Sequence, residues 1–92
     1  MTIVGKEYEA KGSDALKRGI HKRRAVYQVC GGILTQEQKN VIDRLESGFH
    51  GDWGGTIDPY NTMRNAQYMG IELGEEELCP DGKWRKMEYT DI

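Results

Sequence analysis

Between Thr35 and Phe49 the apolar positions Val41, Ile42, Leu45 and Phe49 recur at helical spacing, with Lys39, Asn40, Asp43 and Glu46 left to water. Thr35 and Gln38 stand at the separation of a capping box, in which each side chain satisfies a free backbone N–H of the first turn. Gly48 is placed to end the helix, since glycine takes the left-handed conformation without a Cβ clash. The pattern predicts an amphipathic helix with one buried face.

Weaker patterns flank it. Thr2-Ile3-Val4 and Tyr8, bracketed by Gly5 and Gly12, predict a short strand or an arm on the core. Ser13 and Asp14 suit a helix start, and Leu16, Ile20, Tyr27 and Cys30 are compatible with one helical face toward Gly31-Gly32. Gly19 weakens such a helix by about 1 kcal/mol relative to alanine. A helix is expected from Ser13 to about Arg23. The stretch Arg24–Cys30 reads as helix or strand, because Val26, Tyr27 and Val29 also suit a pleated surface.

Downstream, Asp58-Pro59 reads as cap plus first helical residue. Tyr60, Met63, Ala66 and Met69 give that helix an apolar side, and Gly70 ends it. Leu78, the turn Cys79-Pro80-Asp81-Gly82, and Trp84, Met87 and Tyr89 predict a β-hairpin. The expected fold is α+β: a small single domain over residues 1–92, two or three helices packed on a short antiparallel sheet, with a C-terminal β-hairpin.

Charge changes this picture. Residues 1–34 hold seven Lys/Arg against three Asp/Glu, whereas residues 35–92 hold six against twelve. A basic front and an acidic back predict two electrostatically different surfaces. Apolar residues make up only 37% of the chain, so self-association or a tight target complex is a natural source of further burial. Two distant cysteines, no signal-peptide pattern and no long apolar run place the chain in a reduced cytoplasm, with both thiols packed as small apolar groups.

Lys17, Arg18, His21, Lys22, Arg23 and Arg24 form the first candidate site: on a helix they would spread over a wide face able to meet phosphates. The same residues on a merely solvated face would serve solubility. The glycine-rich loop with His50, Asp52 and Trp53 is the second, a place where Trp53 would either stack on a base or fill a partner's pocket, or fold back to cover the small core. Glu75-Glu76-Glu77, with Glu72 and Asp81, offers a third surface resembling a row of phosphates, or a solvated strand or turn.

Chemistry finds less support. His21, Cys30, His50 and Cys79 lack the close pairs of a structural zinc site, so no metal and no cofactor are expected. A small enzyme would use Cys30 or His50, but neither sits in a recognisable triad pattern. The helix–hairpin order at Asp58–Tyr89 invites comparison with a winged-helix DNA reader, although the helix from Asp58 to Met69 holds only Arg64 as a cation. In size, divided charge and missing catalytic signature the chain is similar to small phage and mobile-element accessory proteins, including anti-CRISPR and anti-restriction inhibitors, without a shared motif. The expected function is a non-enzymatic protein that docks on nucleic acid or a nucleoprotein complex and acts by occupancy.

Overall fold

The computed structural model describes residues 1–51 and 59–87. In chain order the elements are β1 (Thr2–Val4), β2 (Tyr8–Glu9), α1 (Ser13–Lys17), β3 (Lys22–Val29), α2 (Gln36–Phe49), α3 (Pro59–Tyr68), β4 (Ile71–Leu78) and β5 (Trp84–Lys86). All strands join one antiparallel sheet in which β3 and β4 are central. β1 and β2 both pair with β3 on one side, and β5 pairs with the far end of β4 on the other. The α+β architecture and the C-terminal hairpin are as expected. The hairpin is no separate wing, however, because β4 pairs along its length with β3.

Alternation explains β3. Ala25, Tyr27 and Val29 are buried and face the helices, while Arg24, Val26 and Gln28 point to the other side. The expected helix from Ser13 to Arg23 is corrected: α1 stops at Lys17, Gly19 takes φ +74°, and strand begins at Lys22. Ser13 is not the cap either; Gly12 holds that position and Ser13 is the first helical residue. The proposed face of Leu16, Ile20, Tyr27 and Cys30 dissolves with it, for Leu16 and Cys30 are exposed. Ile20 instead joins Ala10 and Ala15 in a small satellite core, with Cys79 packed against it.

α2 matches its pattern at the start and overruns at the end. Thr35 Oγ1 accepts from the Gln38 N–H at 3.1 Å, and Gln38 Oε1 accepts from the Thr35 N–H at 3.0 Å, completing the capping box. Gly48 is inside the helix and buried, and the left-handed residue after the end is Gly51. A residue without a side chain at position 48 fits the buried face. Val41, Ile42 and Leu45 pack with Ala25, Tyr27, Val29, Ala66 and Ile71 in the main core, and Phe49 and Met69 lie against it. Of the four residues expected on the apolar side of α3, only Ala66 and Met69 do this; Tyr60 is 82% exposed. Gln38 Nε2 donates to the Met69 carbonyl at 2.9 Å, fastening the end of α3 to the start of α2. Among the described residues no helix is long and apolar enough to cross a membrane.

One polar contact lies at the heart of the helix–sheet layer. The Tyr27 hydroxyl donates to Glu46 Oε1 at 2.7 Å, and the Lys6 N–H donates to Glu46 Oε2 at 3.0 Å. Burial, and then the bond to Glu46, pushes the Tyr27 hydroxyl above its ordinary value of 10.0. The folded chain therefore holds this proton more tightly than the unfolded chain. The resulting stability is whole below the unfolded value and is lost as pH rises through the folded one. Urea unfolding from about pH 8 to about pH 11 is expected to show an alkaline loss of stability that Tyr27→Phe makes shallower. An identical slope in the variant would remove Tyr27 as its source.

Candidate functional site

The basic run does not form one face. The fold divides it among a turn, two sheet faces and a cleft. Register is the reason: Arg23 stands opposite Glu77 and Arg24 opposite Glu76 across the β3–β4 ladder. The acidic run and the basic run, 52 residues apart at Arg24 and Glu76, are thus cross-strand partners.

Arg24 is the most fully engaged. Its Nη2 lies 2.8 Å from Glu76 Oε1 and its Nε donates to the same oxygen at 2.9 Å. Its guanidinium also lies 4.1 Å from the centre of the Trp84 ring on β5. Arg18, beyond the end of α1, reaches Glu77 with two donors, at 2.7 and 3.2 Å. That hydrogen bond, and then the charge of Glu77, raises the Arg18 pKa above its ordinary value. Lys22 Nζ meets Glu7 at 3.2 Å in an exposed pair of the kind that contributes little. Lys17 and His21 are exposed.

Arg23 differs from its neighbours. It lies toward the helix side of the sheet, and its nearest carboxylate oxygen, on Glu77, is 3.9 Å away. Its Nε is buried with no hydrogen-bond partner. Arg23 lines a cleft of about 420 Å³ between β2–β3 and the end of α2, together with Tyr8, Glu9, Lys11, Phe49 and His50. Tyr8 forms the aromatic wall, its ring stacked on Phe49 at 5.8 Å and 15° and met edge-on by His50, also at 5.8 Å. The Tyr8 hydroxyl donates to Glu75 at 2.9 Å, which fixes the ring. His50 Nε2 is 3.8 Å from Glu46 Oε2, so this imidazole is positioned by α2 itself.

Residues from the two sequence candidates, Arg23 of the basic run and His50 of the loop, therefore meet in one cleft. Asp52 and Trp53 lie outside the described residues. Phe49, from the end of the α2 stripe, completes the cleft with Tyr8 and Lys11, which carry no sequence motif. The pairing of β2 with β3, which sets Tyr8 opposite Arg23, brings these two in.

Cys30 is exposed rather than packed, and Cys79 is half-buried; both are free thiols. No group of three His, Cys, Asp or Glu able to hold a metal occurs among the described residues. No family model, curated protein or solved structure matches the chain.

Proposed function

We propose that the protein is a non-enzymatic binding protein that docks on a nucleic acid or nucleoprotein complex and acts by occupancy. The observation that carries this reading is the meeting of Arg23, Lys11 and His50 in one cleft beside the Tyr8 ring. A buried guanidinium N–H without an acceptor is costly, and a phosphate oxygen entering the cleft supplies one. Lys17, Arg18, His21 and Lys22 add exposed donors at the adjoining corner, where they raise the encounter rate with a polyanion. Arg24 has a different role in this account, holding β3, β4 and β5 together. Occupancy of a host nucleoprotein machine, the mode of small phage and mobile-element inhibitors, requires affinity and shape but no reactive group.

The test is binding to single-stranded RNA, duplex DNA and nucleoprotein targets across a salt series, comparing the natural chain with Lys11→Ala and Arg23→Gln. Each variant is expected to weaken binding and to make the log–log salt slope shallower by about 0.7 to 0.9 for a lost phosphate contact. Lys11 is exposed, so its variant reports on contact without disturbing the core. A salt-independent affinity in the natural chain, or slopes that neither variant changes, would refute the phosphate role.

A further inference from the structure

Among the described residues β4 carries an open edge at its start. The Cys30 N–H donates to the Gly70 carbonyl at 2.9 Å, and the Met87 N–H donates to the Glu75 carbonyl at 2.9 Å. In an antiparallel strand successive residues turn their backbone groups to alternate sides. Even-numbered residues of β4 thus bond toward β3, while Ile71 and Leu73 direct their N–H and C=O groups the other way. Among the described residues no strand pairs with Ile71–Gly74 on that side, because the bonds from β5 and the residue after it reach only as far as the Glu75 carbonyl.

Two hollows flank this edge. On the helix side a cleft of about 700 Å³ is lined by Phe49, Met63, Gln67, Ile71 and Leu73. A depression of about 130 Å³ is bordered by Val26, Gln28, Gly74 and Lys86, and Val26, Gln28 and Gly74 belong to the opposite face of the sheet. Both hollows include Glu72, Leu73 and Glu75. Backbone groups with no partner among the described residues, and with space on both faces, are the form left where a strand is wanting, since a strand sends its side chains alternately to each side.

We propose that Ile71–Gly74 is a docking edge for an extended segment of a partner protein in which apolar residues alternate with Lys or Arg. The partner's backbone pairs with Ile71 and Leu73 and its apolar side chains enter the Phe49–Met63 cleft. Its cations lie on the opposite face beside Glu72, which stands across the ladder from Gln28 rather than from a cation. β4 itself contains four glutamates and no Lys or Arg. Glu76 and Glu77 are already paired with Arg24 and Arg18, so the charge that selects the occupant is that of exposed Glu72. A second copy would bring its own Glu72 to the edge, and residues 88–92 of the chain contain Glu88 and Asp91 but no cation. This edge shares Phe49 with the Lys11–Arg23 cleft but none of its cations, so backbone pairing at Ile71 and Leu73 and the salt slopes of Lys11→Ala and Arg23→Gln test the two proposals separately.

The experiment uses the full ¹⁵N-labelled chain and two capped peptides, Lys-Val-Lys-Val-Lys and Glu-Val-Glu-Val-Glu. The basic peptide is expected to shift the amides of Ile71–Glu75 saturably, slow hydrogen exchange at Ile71 and Leu73, and bind at least about tenfold more tightly than the acidic one. Glu72→Lys, at an exposed position, is expected to reverse that preference. Silence at these amides, or an equal response to both peptides, would overturn the proposal. Ile71 and Leu73 amides already protected in the free chain would also overturn it. Protection independent of concentration would assign the edge to the chain's own residues, and protection rising with concentration would assign it to a second copy.

Discussion

Leu45→Ala is expected to destabilise the fold by about 2–5 kcal/mol, a large share of the roughly 5–15 kcal/mol available to a domain. Leu45 is fully buried at the point where α2 meets the sheet, among Tyr27, Val41, Ile42 and Ile71. Two of its core companions, Ala25 and Ala66, have no rotatable carbon to move into a void. The cavity is therefore retained, which places the cost in the upper part of that range. Urea unfolding of Leu45→Ala beside Tyr68→Ala measures it, since Tyr68 is 82% exposed and its truncation is expected to stay within about 0.5 kcal/mol. Comparable losses from both variants would mean that the core lies elsewhere.

The second large effect concerns the ladder between β3 and β4. Arg24→Glu sets two carboxylates opposite each other, and Glu76→Arg sets two guanidiniums opposite each other. Each reversal is expected to cost about 1–2 kcal/mol, because a close, partly desolvated attraction becomes a repulsion. Arg24 has a further tie to the Trp84 ring, so its reversal is the more harmful of the two. Combining both reversals is expected to recover most of the loss, with the contact to Trp84 left unreplaced. Simple additivity in this cycle would mean that the two side chains do not interact.

Local signals and distant ones were legible to different degrees. The α2 stripe, its capping box and the Cys79–Gly82 turn are properties of neighbouring residues, and all three appear in the fold. The Ser13–Arg23 helix fails because Gly19 takes a positive φ and β3 finds partners on both edges, so sheet pairing outweighs helical spacing. Gly48 misled as a stop signal because a buried helix face also favours a residue without a side chain. The division into basic and acidic halves was plain in the sequence, but its meaning was not. Antiparallel register joins Arg23 to Glu77 and Arg24 to Glu76 across a long separation that no local pattern encodes. The candidate cleft is half legible: Arg23 and His50 each stand in a sequence pattern that points to binding, whereas Tyr8 and Lys11 belong to it only through β2–β3 pairing.

This sorting of cations, with Arg24 bonded into the sheet and Arg23 lining a cleft, is most directly tested on the combined Arg24→Glu/Glu76→Arg chain. Its binding to RNA or DNA is measured across the same salt series as the natural chain. An unchanged slope is the predicted result, because the variant moves only charges that the ladder already pairs. A slope shallower by about 0.7 to 0.9, the signature of a lost phosphate contact, would contradict it and return Arg24 to the binding surface.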